Sequence, residues 1–188
     1  MRKFITRMEW KTFFSAIAGS TTAYRDKAMF SMTYKHGLRV SELNNIRLGD
    51  LDLAGRTVFI RRLKNGLSTV HPLQPETLFW IKKWLKYREA FTTDSDPESF
   101  LFVNNKGRQI SRQWIYHLSR KYSQKAGLPV HLHPHMLRHA CGYALANQGL
   151  DTRLIQDYLG HRNINHTVRY TASNVSRFRK VWQSCYCE

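Results

Sequence analysis

One β-rich segment, "RTVFIRRLKNGLSTVHPL" (residues 56–73), interrupts a chain whose other apolar residues recur mainly at helical spacing. Two runs of β-branched and aromatic residues flank Lys64, Asn65 and Gly66, and an Asn-Gly pair is a strong signal for a β-hairpin turn. We expect this hairpin to be the main sheet. The sequence therefore predicts a mostly α-helical fold with a small antiparallel β-sheet.

Residues typical of helix ends divide the rest of the chain into segments. Thr6 and Glu9 fit a capping box that opens a helix over about residues 6–18, and Gly37 is well placed to end the next one, which begins at Tyr24. Further helices are predicted in residues 39–46, 76–91, 111–127 with Ser111 as the cap, 134–149 with Pro134 in the first turn, and 152–159 before Gly160. Residues 94–97 read as a surface loop.

The chain carries a large excess of positive charge along its whole length. Its 30 Lys and Arg residues against 13 Asp and Glu give a formal net charge of +17. Such a chain is expected to meet a polyanion, and nucleic acid is the first candidate. A membrane surface is the alternative, but it would favour basic residues gathered on one amphipathic helix. We therefore expect no membrane partner.

Length and cysteine content bound the organisation and the compartment. A chain of 188 residues, 42% of them hydrophobic, has room for one good core, which predicts a single domain over residues 1–188. Charged residues at positions 7, 9 and 11 interrupt what would otherwise imitate a signal peptide. Its three cysteines, Cys141, Cys185 and Cys187, form no dispersed disulfide framework, so a reducing cytoplasm is expected.

The stretch "HPHMLRH" (133–139) places two histidines four residues apart, as in zinc-binding His-Glu-x-x-His helices. Position 136 is Met where that motif needs its general base, and Arg138 puts a fixed cation on the same face. No metal is therefore expected here. An anion such as phosphate suits the arginine fork better. His133 and His139 are expected only to pack and cap.

Metal-dependent nucleases gather carboxylates around magnesium ions, and this chain has two close sets of acidic residues. Asp50 with Asp52, and Asp94 and Asp96 with Glu98, both look like turn residues. The chain also lacks a Gly-x-x-x-x-Gly-Lys phosphate loop. Phosphate chemistry is therefore expected to use cationic side chains and a protein nucleophile, with no cofactor.

Several spaced motifs resemble one family in the order it requires. "HGLRVSELNNIRLGDLDL" (36–53), "HPHMLRH", "DYLGH" (157–161) and "VRY" (168–170) resemble the tyrosine recombinases, the phage-integrase family, over about residues 6–180. More narrowly, "RRLKNGLSTVHPL" (61–73) and residues 133–146 and 151–174 resemble the recombinases that invert fimbrial promoter switches in enteric bacteria. The resemblance implies the catalytic-domain fold of that family.

The resemblance also implies a set of catalytic residues. Two arginines grip the scissile phosphate, a hairpin lysine protonates the departing 5′ oxygen, one histidine assists proton transfer at the nucleophile, a second bonds the phosphate, and a tyrosine attacks. The two arginines are Arg39 and Arg138, and the lysine is Lys64. The histidine that assists proton transfer is His135, the one that bonds the phosphate is His161, and the tyrosine is Tyr170. A plain turn residue is the alternative for the lysine.

Neighbouring charges allow further expectations. Glu42, three residues after Arg39, either braces that arginine or is a solvated surface residue. Arg61 and Arg62 hold their protons too tightly to act as the acid, so we expect them to grip backbone phosphate.

The reaction implied is two rounds of transesterification through a 3′-phosphotyrosine on Tyr170. The implied partners are double-stranded DNA with inverted repeats, a homotetramer on two synapsed sites, and DNA-bending proteins such as integration host factor, in the nucleoid of a bacterial cell. Residues 1–188 are expected to lack a separate N-terminal core-binding domain. Residues 173–184 are expected either to dock on a neighbouring protomer or to pack on their own domain.

The implied function is inversion of a short promoter-bearing element, which makes fimbrial expression phase-variable. Two alternatives stay open. One is an integrase or excision recombinase of a mobile element, and the other is a DNA-binding regulator without enzymatic activity.

Overall fold

A computed structural model describes residues 4–62 and 67–172, which contain eight α-helices and one small β-sheet. The helices are α1 (Arg7–Ser15), α2 (Ala23–His36), α3 (Val40–Leu43), α4 (Pro75–Arg88), α5 (Arg112–Lys125), α6 (Pro134–Asn147), α7 (Thr152–Leu159) and α8 (Asn165–Thr171). A 3₁₀ turn occupies Leu48–Asp50. Of the helices in these two ranges, none has both the length and the apolar composition that a membrane span requires.

The sheet contains the hairpin that the sequence predicts. Strands β1 (Leu51–Asp52), β2 (Thr57–Ile60) and β3 (Thr69–Pro72) lie in that order and are antiparallel. The last pair of the β2–β3 ladder joins Ile60 to Thr69, so residues 61–68 connect the two strands. The hairpin and the mostly helical class are both confirmed.

Two segments that carry sequence predictions lie outside the described residues. The first is the hairpin tip, residues 63–66, which contains Lys64. The second is residues 173–188, with the expected docking helix over 173–184 and the cysteines Cys185 and Cys187. The expectations for these residues stay predictions.

Helix ends follow the local signals in the sequence. The Thr6 amide donates to the Glu9 carboxylate at 2.8 Å, and the Glu9 amide donates to Thr6 Oγ1 at 3.2 Å, which completes the capping box of α1. Gly37 and Gly160 end α2 and α7 with φ angles of 61° and 62°. Since glycine adopts such left-handed angles at little cost, both helices stop where expected. Helix α1 ends at Ser15, earlier than predicted, and Ile17 beyond it is fully buried.

Helix α2 lies at the centre of the fold and packs against α4 and α6. Around it the main core brings aromatic rings together edge to face, as Phe13 does with Phe30 and with Tyr122. A smaller core cluster links α6, α7 and α8 and contains Cys141, Ala146, Ile155, Leu159 and Tyr170. This second cluster fixes the last two helices against α6, which places their polar residues beside those of α6.

We predict that Phe13→Ala lowers the free energy of unfolding by about 3–5 kcal/mol, because it removes a fully buried ring and leaves a cavity. Met8 lies on the same helix with 70% of its surface exposed, so Met8→Ala should change the value by less than about 0.5 kcal/mol. Urea unfolding followed by circular dichroism measures both. Equal effects of the two substitutions would contradict this packing.

Candidate active site

Arg138 sits where the ends of two other helices meet α6. Its side chain is 4% exposed, and its two terminal nitrogens donate to the carbonyl of Gly37 and, at 2.7 Å, to the carbonyl of Leu159. These carbonyls close α2 and α7, and helix C-termini carry partial negative charge. Burial lowers the pKa of Arg138 to about 10, so the group stays cationic at neutral pH. Three separate elements thus hold one buried cation.

Glu42 is a buried carboxylate shared by three arginines. It accepts hydrogen bonds from the Arg39 backbone at 2.8 Å, from the Arg39 guanidinium at 2.7 Å and from Arg62 at 2.8 Å, and Arg138 lies 3.7 Å away. Burial alone would raise the pKa of Glu42, but Arg62, the Arg39 amide and Arg138 together lower it below its ordinary value. The expectation that Glu42 braces Arg39 is confirmed, and the solvated alternative is wrong.

Arg62 corrects an expectation from the sequence. Its side chain is fully buried, and it donates to Glu42 and to the carbonyl of Tyr158. It therefore ties the β2 end of the hairpin to the end of α7 and is not available to grip DNA, because its charge is matched inside the protein. Arg61, one residue earlier, is half exposed and donates to Asp50 at 2.9 Å. Phosphate binding by Arg61 stays a prediction.

Tyr170 lies on α8 and packs closely against α6. The residue is 1% exposed, and its hydroxyl oxygen is 2.8 Å from Nδ1 of His139. The Tyr143 ring meets it edge on at 5.1 Å, and a Cβ atom on Gly142 would lie only 2.7 Å from the Tyr170 ring. Burial raises the pKa of Tyr170, while the nearby Arg169 opposes that rise.

His161 stands at the other side of the tyrosine. Its ring stacks on that of Tyr170 at a centroid distance of 6.2 Å and an angle of 18°. Its Nδ1 is 2.9 Å from Thr167 Oγ1, which leaves Nε2 as the nitrogen for a ligand. Burial, and then Arg138, lower the pKa of His161 to about 3, so it is neutral at pH 7. A neutral ring can donate a single hydrogen bond to an anion through Nε2.

The histidines of residues 133–139 have three different positions. His135 is exposed by its surface area, and partial desolvation of its ring, followed by the charge of Arg138, lowers its pKa. His139, one turn later, contacts the Tyr170 hydroxyl, which goes beyond the packing role expected from the sequence. In the sequence, the signal that pointed to His139 was its position one helical turn after His135. His133 is exposed at the N-cap of α6 without a side-chain capping bond, so the expected cap is wrong.

Two adjoining cavities of about 1030 and 1080 Å³ share Arg39 and His135, and together we call them the cationic groove. Five of the six residues predicted to be catalytic line the first cavity, and the sixth, Lys64, lies outside the described residues. The arginines of the whole groove are Arg39, Arg112, Arg120, Arg138, Arg153, Arg162 and Arg169. The groove thus suits an extended polyanion.

The two close sets of acidic residues accept hydrogen bonds from backbone amides in turns. Asp52 accepts from the amides of Ala54 and Gly55. In the second set, Asp94 accepts from the amide of Asp96, and Asp96 accepts from the amide of Glu98. The expectation of turn residues is confirmed. Within residues 4–62 and 67–172, no group of three or more potential ligand side chains could hold a metal ion.

The comparison with protein families settles the class. Residues 3–177 match the model described as the phage integrase family. The chain belongs to this family, that of the tyrosine site-specific recombinases.

The relatives narrow the class. The chain is 46% identical to the type 1 fimbriae regulatory protein FimE of Escherichia coli K12 over 97% of this chain and 91% of the relative. It is 44% identical to the regulatory protein FimB of the same strain, over 96% and 90%. The crystal structure of XerA recombinase superposes on this structure with a TM-score of 0.82 at 28% sequence identity. The match covers 100% of this chain and 66% of the XerA chain. The catalytic-domain fold is therefore confirmed.

We predict that Glu42→Gln lowers the free energy of unfolding by about 3–5 kcal/mol, because Arg62 and Arg138 would then lie buried without their countercharge. Glu98 makes an ion pair with Arg47, and its side chain is 73% exposed. The same change there, Glu98→Gln, should cost at most about 1 kcal/mol. Thermal unfolding of the two variants side by side tests the difference. A loss at Glu42 as small as that at Glu98 would contradict the shared-carboxylate arrangement.

Proposed function

We propose that this chain inverts a short promoter-bearing DNA element between inverted repeats and so makes fimbrial expression phase-variable. Its relationship to two type 1 fimbriae regulatory proteins supports the biological role. One observation carries the chemistry: Tyr170 lines the same cavity of the cationic groove as Arg39 and Arg138. A tyrosine nucleophile and two guanidinium groups are the parts that phosphoryl transfer without a nucleotide requires.

In the first step, Tyr170 Oη attacks the scissile phosphorus, a P–O bond to the tyrosine forms, and the bond to the 5′ oxygen breaks. Extra negative charge develops on the phosphoryl oxygens in the transition state, and preorganised cations stabilise it most there. Arg39 and Arg138 bind those oxygens, and His161 donates from Nε2. Lys64 gives a proton to the departing 5′ oxygen.

The surroundings of Glu42 support this assignment. Three guanidinium groups face one carboxylate, so the network as a whole stays cationic. Glu42 uses its oxygens to hold Arg39 and Arg62 in place, which fixes the donors before the phosphate arrives. Such preorganisation avoids reorientation of the donors during the reaction.

In the second step, a free 5′ hydroxyl from the partner strand attacks the phosphotyrosine and releases Tyr170. The covalent intermediate conserves the energy of the phosphodiester, so no nucleotide is consumed. Two such exchanges, through a four-way junction, invert the segment between two repeats.

The assembly proposed for this reaction is a homotetramer on two synapsed sites of double-stranded DNA in the bacterial nucleoid. The seven arginines that line the cationic groove support DNA as the partner. Accessory DNA-bending proteins, with integration host factor as a candidate, bring the two sites together. Residues 1–188 act as one catalytic domain, and residues 173–184 dock on the neighbouring protomer.

We predict that Tyr170→Phe abolishes the covalent protein–DNA adduct, because phenylalanine lacks the attacking oxygen. The substrate is a nicked duplex with the inverted repeats found beside the gene, which loses a short fragment on cleavage and traps the adduct on a denaturing gel. Tyr87→Phe, an exposed position on α4, is the matched control and should react like wild type. An adduct with Tyr170→Phe would refute the nucleophile, and no adduct with wild type would favour a non-enzymatic regulator. Excision between direct repeats in preference to inversion would favour the mobile-element alternative.

Adduct formation should be unchanged by a chelator such as EDTA. The groove holds its phosphate with fixed guanidinium groups, and their charges repel a divalent cation. The same trapping assay, with and without EDTA at constant ionic strength, measures this. Loss of the adduct, with recovery on adding magnesium, would show that a metal takes part.

A further inference from the structure

Two histidines one turn apart on α6 border the cationic groove, and only one of them touches the nucleophile. His139 Nδ1 lies 2.8 Å from Tyr170 Oη, whereas the His135 ring is 6.3 Å from that of His139 and lies on the side shared with Arg39. We infer that His139, and not His135, accepts the proton of the Tyr170 hydroxyl during attack. The inference rests on the proposed function and assigns a further catalytic residue for it.

A general base must lie within hydrogen-bonding reach of the proton that it removes. Packing keeps Tyr170 at that distance, because Gly142 leaves room for its ring and the Tyr143 ring packs against it edge to face. His161 stacks on the ring face. The contact between hydroxyl and imidazole is therefore set by packing on two helices, α6 and α8.

The proton balance is simple. With its proton on Nε2, His139 accepts the hydroxyl proton at Nδ1 as the P–O bond to Tyr170 forms. The bond to the 5′ oxygen breaks in the same step. When a 5′ hydroxyl later attacks, the proton on His139 returns to the tyrosine oxygen as that bond breaks.

His135 then has a different part to play. His135 lines the groove together with Arg39 and Arg138, which suits a hydrogen bond to a phosphoryl oxygen. Its loss therefore weakens transition-state binding and leaves deprotonation of the tyrosine intact. The electronics of the phenol separate the two roles. Fluorination of the ring lowers the pKa of the hydroxyl, and a more acidic phenol depends less on its base.

The test compares His139→Asn and His135→Asn, each with ordinary tyrosine and with a fluorotyrosine at position 170 introduced by nonsense suppression. Asparagine keeps a hydrogen-bonding atom near the Nδ1 position but has no basicity. The rate of adduct formation on the nicked duplex is the readout. With ordinary tyrosine, His139→Asn should slow it about 100- to 1000-fold. With fluorotyrosine that penalty should shrink to roughly 10-fold, while the His135→Asn penalty stays unchanged.

Three results would overturn the inference. The first is a wild-type rate for His139→Asn, which would leave the residue a purely positioning contact. The second is a rate penalty for His139→Asn that is the same with tyrosine and with fluorotyrosine. The third is a rate penalty that fluorotyrosine reduces for His135→Asn but not for His139→Asn. Thermal unfolding and DNA binding of each variant show that the protein is folded and bound. Failure of the wild type to form any adduct would instead refute the proposed function itself.

Discussion

The buried carboxylate of Glu42 is the interaction on which the site depends. Arg39, Arg62 and Arg138 come from three distant parts of the chain, and their like charges would repel one another in a low-dielectric interior. One carboxylate lying within 4 Å of all three offsets that repulsion and keeps their geometry. Glu42 thus allows three guanidinium groups to lie close together, and two of them, Arg39 and Arg138, line the groove. A polyanionic substrate then meets donors that are already in place.

Helix α6 supplies the second constraint, because its periodicity sets what lies side by side. His135, Arg138, His139 and Gly142 follow at intervals of three, one and three residues, which places all four on one helical face. Toward the groove this face presents a histidine and a buried cation. Toward α8 it presents the imidazole of His139, which contacts the Tyr170 hydroxyl, and Gly142, whose lack of a side chain leaves room for the Tyr170 ring. A single helix face therefore serves both the phosphate and the tyrosine.

The degree to which the site was predictable varies from residue to residue. Arg39, Arg138, His161 and Tyr170 could be identified because their motifs occur in a fixed order, and the structure brings them to one cavity. The helix caps at Thr6, Gly37 and Gly160 were predictable because capping is a local interaction. Arg61 and Arg62, by contrast, are adjacent identical residues with opposite surroundings. No local signal told which of the two would pair with a carboxylate twenty positions away.

The sequence by itself determined the class of fold and the helix ends at Thr6, Gly37 and Gly160, since these depend on spacing and short-range contacts. Its resemblance to the family predicted Tyr170 as the nucleophile. The sequence also predicted no zinc pair at His135 and His139, because Arg138 shares their helix face. The tertiary structure alone decided that Arg62 is buried, that Glu42 serves three arginines, and that His139 meets the Tyr170 hydroxyl. Each of these is a contact between elements remote in sequence, and it arises only when the helices pack around α2 and α6.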